Sequence, residues 1–251
     1  MINFILEEIK QLCILSLKEE PTGNDWLDSR YNEQIHFVGH TQPYYRTFYL
    51  IAQALKPGLT VELGSWQGTA AAHFAVGNPG GHVVTIDIHR EDKDAQQRTL
   101  EVAQHLQNVT YLNAWTIPGF ASDWNTVNQV KACGKPIDIL FIDAWHEYQY
   151  ASKERDLYFP LLADVALVIC DDINDQGGAM PGMGRFWDEM ESYENFVDTD
   201  IHKGVPMGFL KYERVERITV VDDREVNRAI AETDTAKKRV SRKPRRKQRP
   251  T

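Results

Sequence analysis

The chain has 251 residues, a formal net charge of −8, 42% hydrophobic and 25% charged residues, which is the balance of a globular chain and excludes a fibrous or wholly disordered one. No apolar run approaches the roughly 20 residues that a membrane helix needs, and Glu7 and Glu8 with no basic leader argue against a signal peptide. Cys13, Cys133 and Cys170 are too few and too scattered for a disulfide framework or a zinc knuckle, so the expectation is a soluble, cytoplasmic protein.

No internal repeat is evident. Phe4, Ile5, Ile9, Leu12 and Leu15 recur at helical spacing, and the Pro, Gly, Asn and Asp of residues 21–25 end that helix. A second helix is predicted over 44–55, stopped by Lys56-Pro57-Gly58. From residue 59 strands and helices alternate. Strands are predicted at 59–63, 82–87, 109–112, 137–142 and 165–170, with helices at 68–76, 91–106, 123–131 and 147–159. Such alternation implies right-handed crossovers and a parallel sheet covered on both faces. The continuous apolar runs at 137–142 and 165–170 are those of buried parallel strands. A Gly-rich loop at 175–184 precedes a helix at 185–193, and 196–201 with 207–212 reads as a closing hairpin. A short strand is predicted at 217–221.

The net charge conceals a split. Residues 237–251 hold nine Lys or Arg and no acid, which leaves nineteen bases against 36 acids elsewhere, a body of −17. An acidic body argues against a broad nucleic-acid face. The basic tail reads as a solvated, disordered arm, with nucleic acid or an anionic surface as its alternative partner.

In open α/β sheets ligands sit beyond the carboxyl ends of the strands, where the strand order reverses. The first strand runs into Glu62-Leu63-Gly64-Ser65-Trp66-Gln67-Gly68, which is neither the G-x-G-x-x-G dinucleotide fingerprint nor a P-loop. Gly64 would let backbone approach a ligand closely, and Glu62 suits a cationic or donor-bearing one. Asp87, at the end of the second strand, can accept hydrogen bonds from both hydroxyls of a ribose. Other readings stand beside these: Gly64 and Gly68 as ordinary turn glycines, and Asp87 as a helix cap.

Together, the run from Glu62 to Gly68 and Thr85-Ile86-Asp87 resemble motif I and the ribose acid of class I S-adenosylmethionine-dependent methyltransferases. Asp138-Ile139-Leu140-Phe141-Ile142-Asp143-Ala144-Trp145-His146-Glu147-Tyr148 and Val168-Ile169-Cys170-Asp171-Asp172 resemble their motifs after strands 4 and 5. Gly184-Arg185-Phe186-Trp187-Asp188-Glu189-Met190 and Gly204-Val205-Pro206-Met207-Gly208 resemble the small-molecule O-methyltransferases of the methyltransferase 24 subgroup. The resemblance spans residues 59–213. It implies a Rossmann-like, doubly wound, mostly parallel seven-stranded sheet with a C-terminal antiparallel hairpin. It also implies a cofactor site at Glu62, Gly64, Ser65, Trp66, Gly68, Asp87, Ile88, Asn113, Ala114 and Asp143.

Asp143, Asp171 and Asp172 follow two strands expected to be neighbours, where three carboxylates repel unless a cation lies between them. This resembles the metal site of catechol-type O-methyltransferases, with Asp172 in place of an Asn, and implies Mg2+ or another divalent cation. The alternative has Asp171 capping a turn and Asp172 in solvent. His146 stands where those enzymes carry a basic Lys, which implies a base that deprotonates the acceptor; a substrate-orienting or solvent-facing His is the alternative. Trp66, Trp115 and Trp145 all follow strands and suit either the ligand or packing.

The expected activity is methyl transfer from S-adenosylmethionine to the oxygen of a small-molecule acceptor, a sugar or natural product, by in-line displacement. Three rivals stay open: an RNA or protein acceptor recruited by the tail, a cofactor-binding module without turnover, and a cephalosporin-hydroxylase-like protein. Three segments are expected: N-terminal helices over 1–58, the methyltransferase domain over 59–221 and a charged tail over 222–251. A homo-oligomer is compatible with this plan.

Overall fold

In the computed structural model the strand Leu59–Leu63 (β1) lies inside the sheet, third from one edge, with every residue buried. The structure describes residues 2–38, 44–88, 92–117, 124–173, 182–198, 201 and 207–214. The short strand expected at 217–221 and the basic tail lie outside them. The other strands are β2 (His82–Asp87), β3 (Val109–Asn113), β4 (Ile137–Ile142), β5 (Leu162–Cys170), β6 (Glu194–Val197) and β7 (Gly208–Glu213). Their order is β3-β2-β1-β4-β5-β7-β6. β1 to β5 pair in parallel, while β7 runs antiparallel to both β5 and β6. The expected fold class is therefore present, and the order reverses between β1 and β4, which puts the ligand-binding crevice at their carboxyl ends.

The helices are α1 (Leu6–Ser16), α2 (Asp25–Val38), α3 (Tyr44–Leu55), α4 (Thr69–Gly77), α5 (Lys93–His105), α6 (Trp124–Ala132), α7 (Tyr148–Tyr158) and α8 (Met183–Asp188). Side chains alternate across β4: Ile139 and Phe141 join one core cluster, Leu140 and Ile142 the other. The first cluster takes residues of α1 to α4, the second residues of α6 to α8. Phe48 of α3 packs on Phe74 and on Phe141, with ring centroids 4.8 Å apart in both pairs. The N-terminal helices thus share one core with the sheet.

The helix α2 is absent from the sequence reading. Among its described side chains the buried ones are Leu27, Arg30 and Tyr31, and the charge of Arg30 masks the apolar period. That guanidinium donates to the carbonyls of Gln67 at 2.6 Å and Arg98 at 2.8 Å. Asn24 caps the helix by accepting from the Leu27 amide at 3.0 Å.

Three further elements differ by more than two residues at a boundary. β5 begins at Leu162, paired with Ile137 across a register shift that the polar Asp164 hides from the pattern. α8 ends at Asp188 rather than 193, and the Asn195 amide, bonded to the carbonyls of Met190 and Tyr193, holds the turn that follows. β6 is Glu194–Val197 rather than 196–201. The buried Asp198 ends it, donating its N–H to the Met207 carbonyl and accepting the Met207 N–H, both at 3.0 Å. Among the described residues no helix is long and apolar enough to cross a membrane.

Candidate active site

Two amides extend the parallel ladder past the strand ends: Gly64 N–H donates to the Ile86 carbonyl and Asp143 N–H to the Leu63 carbonyl, both at 2.8 Å. The loops after β1 and β4 are thereby drawn together. Gly64 has φ +95°, and a Cβ there would stand 2.0 Å from the Asp143 carbonyl oxygen. Both the turn and the close approach require glycine. Trp66 is also left-handed, at φ +41°. Its N–H donates to Asp87 Oδ2 and its carbonyl accepts from the Thr99 hydroxyl, each at 2.8 Å, so β2 and α5 hold the strained turn. The cap of α5 is Asp92, bonded to the Ala95 amide, rather than Asp87.

A cavity of about 600 Å³ opens at this crevice. Of the residues expected to bind cofactor, Gly64, Trp66, Asp87, Ile88 and Asp143 line it. Glu62, Ser65, Gly68, Asn113 and Ala114 do not. Glu62 is buried under the floor, with Thr85 Oγ1 2.5 Å from its carboxylate and 2.6 Å from Ser65 Oγ, and burial pushes its pKa well up. Gly68 turns the chain into α4 against Thr99 and Val102. The Ala114 amide donates to the Asp87 carbonyl at 3.1 Å, which steers the next residues over the cavity. Trp115, Thr116 and Ile117 form that wall, and Asp92, Trp145 and Tyr150 complete the rim. Of these the sequence reading lacks Thr116, Ile117, Asp92 and Tyr150, since none sits in a motif.

The wall is anchored from α7. The Thr116 hydroxyl donates to the buried Glu154 carboxylate, and the Tyr158 hydroxyl donates to the Thr116 carbonyl at 3.0 Å. Burial, only partly offset by the Thr116 hydrogen bond, pushes Glu154 up to about 7.

Beside the cavity, ligand atoms of Asp143, His146 and Asp171 lie within 4.8 Å of one another. Asp171 is set by its N–H bond to the Ile142 carbonyl at 3.0 Å, and its buried Oδ1 has no hydrogen-bond partner among the described residues. His146 Nε2 lies 3.2 Å from Asp143 Oδ1, and Nδ1 3.1 Å from Asp172 Oδ2. Asp172, expected as a third metal carboxylate, is instead left-handed at φ +51°, 52% exposed, and meets the other ring nitrogen of His146. His146, expected as a base, has both nitrogens engaged by acids. Burial opposes its charge, but the hydrogen bonds to Asp143 and Asp172 outweigh it and hold the imidazolium up to about 10. Burial also raises Asp143, and burial with the charges of Asp143 and Asp172 raises Asp171 well above the carboxylate range. Tyr44 and Tyr45, at the start of α3, are buried within reach of both acids' charge.

Other candidates have structural partners. Arg185 stacks on Tyr148 at 3.8 Å, and Trp187 is buried against Gly208. His73 is fully buried and bonds the Thr69 carbonyl, while His105 stacks on Trp26 at 4.1 Å. Most of the 175–184 loop lies outside the described residues.

Residues 61–173 match the model of the methyltransferase domain family. No curated protein matches the chain. Among solved structures, an O-methyltransferase from Streptomyces achromogenes involved in tomaymycin synthesis, in complex with SAM, aligns with TM-score 0.59 at 14% identity. That alignment covers 80% of this chain and 96% of that one. An O-methyltransferase from Bacillus cereus in complex with SAH gives 0.54 at 17% identity, over 83% and 90% of the two chains. An SAH-bound methyltransferase from Podospora anserina gives 0.58 at 14%, over 85% and 99%. At these identities the likeness is one of fold. Residues 61–173 thus match a methyltransferase domain, and the fold around them is the one that these solved methyltransferases share.

Proposed function

We propose that the chain transfers a methyl group from S-adenosylmethionine to a hydroxyl oxygen of a small molecule, assisted by a divalent cation. One observation carries this reading: Asp143 belongs both to the cavity lining and to the acid–imidazole cluster, so a methyl donor in the cavity lies next to groups suited to activating an oxygen.

On this reading Asp87 accepts the ribose hydroxyls, Gly64 admits the backbone-side approach of the methionine portion, and Ile88, Trp115 and Ile117 enclose the adenine. The donor supplies the methyl as a sulfonium, so no covalent enzyme intermediate is required and positioning dominates. The cluster fits a cation. The orphaned, buried Asp171 Oδ1 and the raised pKa of both Asp143 and Asp171 are those of acids with too little positive charge beside them. Asp143 and Asp171 would hold it, and hard oxygen donors suit Mg2+, which would acidify a bound hydroxyl. Were those acids neutralised by a cation, His146 would lose much of what keeps it charged and could take the acceptor's proton. Asp172 then orients the ring through Nδ1, the role of a carboxylate behind a catalytic histidine.

The test is calorimetric titration of S-adenosylmethionine with Mg2+ and then with chelator, using NADH as control, followed by methyl transfer to hydroxylated small molecules. Binding of S-adenosylmethionine alone is expected, with transfer lost under chelator. A folded sample that binds no S-adenosylmethionine overturns the reading.

A further inference from the structure

We infer that Glu154 is a positioning residue for the cofactor: through Thr116 it fixes the Trp115–Ile117 wall of the cavity, and its carboxylate places negative charge behind that wall. The inference rests on S-adenosylmethionine occupying the cavity. Glu154 lies on α7, 1% exposed, 38 residues from the hydroxyl that it binds. A buried carboxylate is costly, and packing alone gives no reason for one here. One oxygen accepts from Thr116, while Oε2 is buried with no hydrogen-bond partner among the described residues. The Tyr158 hydroxyl holds the Thr116 carbonyl, so the loop after β3 is clamped to α7 at a single residue by both its side chain and its backbone. That residue lines the cavity. A wall clamped on an acid suits a ligand of net positive charge, which a sulfonium with an ammonium and one carboxylate has.

The charges acting on Glu154 are His146, which favours its ionised form, and Asp143, which opposes it. Glu154 in turn bears on Tyr158 of its own helix and Cys170 at the end of β5, helping to keep both protonated. Raised to about 7 by its burial, Glu154 changes charge near neutrality.

Binding of S-adenosylmethionine is measured by calorimetry from pH 6 to 8 for the full-length wild type, Glu154→Gln, Thr116→Val and Thr116→Ser. Wild-type affinity is expected to rise several-fold with pH, and Glu154→Gln, which keeps an acceptor for Thr116, to lose that slope. Thr116→Val leaves the carboxylate unpaired and is expected to raise the KM for the cofactor about tenfold with kcat little changed. Thr116→Ser restores it. An unchanged slope in Glu154→Gln, or equal affinities in the two Thr116 variants, overturns the inference. No binding by wild type instead overturns the cofactor reading on which it rests.

Discussion

The backbone of Gly64 lies so close to Asp143 that a Cβ on residue 64 would stand 2.0 Å from the Asp143 carbonyl oxygen. The first motif and the acid cluster are thus two sides of one contact. Gly64→Ala adds that clash to a left-handed backbone and is expected to cost about 3 kcal/mol or more, with cofactor affinity lost. Urea unfolding and cofactor titration check it, and wild-type behaviour in both would show that the two loops can part.

Asp87 holds the Trp66 amide at 2.8 Å as well as facing the cavity. Asp87→Ala removes both roles, and its cofactor affinity is expected to fall about a hundredfold. Asp87→Asn keeps an acceptor for Trp66 and is expected to lose less. Equal losses in the two variants would argue that the charge, not the turn, is what matters.

Asp171 is pressed toward protonation by burial and by its acid neighbours. Asp171→Asn relieves that repulsion. Without metal the variant is expected to melt at or above the wild-type temperature, while its affinity for Mg2+ drops about tenfold or more. Calorimetry with the metal, beside melting curves in chelator, separates the two effects.

Glu154 is raised to about 7 in the fold from an ordinary value of 4.5. The folded state therefore binds this proton more tightly than the unfolded chain does. That contribution to stability is complete below about 4.5 and is lost as pH rises through about 7. Glu154→Gln is expected to gain on wild type by on the order of 3 kcal/mol between pH 5 and 8. Parallel stability–pH curves for the two proteins would refute it.

The helices of residues 1–58 complete the core cluster that Phe141 and Phe74 enter from the sheet side, with Phe48 between them. A chain starting at Leu59 is expected not to fold cooperatively, and Phe48→Ala to cost about 4 kcal/mol. The pair of buried Arg46 and half-buried Asp28, 2.7 Å apart, ties α3 to α2, and Asp28→Ala is expected to cost about 3 kcal/mol by stranding the Arg46 charge. A cooperative melt of the shortened chain would make the helices a separable layer.

The strands of the parallel sheet were legible because a strand buried on both faces must be apolar throughout, as Val61 to Leu63 around Glu62 and Ile137 to Ile142 around Asp138 nearly are. The positions of Gly64, Asp87, Asp143 and Asp171 were legible too, because a residue at or just past a strand end inherits its place from the strand. α2 was not, since a buried Arg30 whose partners are distant carbonyls looks polar in one dimension. The closing hairpin was legible, but the bounds of β6 and its end at Asp198 were not, since they depend on pairing with Phe209 and on the Met207 bonds across a turn.

By itself, then, the sequence determined the alternation of elements, the crevice and the residues at the strand tips, because these follow from local period and chain order. Tertiary structure alone decided which atoms of the tips meet. It turned Asp172 to the far nitrogen of His146, withdrew Glu62 beneath the floor, and brought Glu154 under Thr116. Those outcomes depend on left-handed turns and on contacts between residues tens of positions apart, for which no local pattern carries a signal.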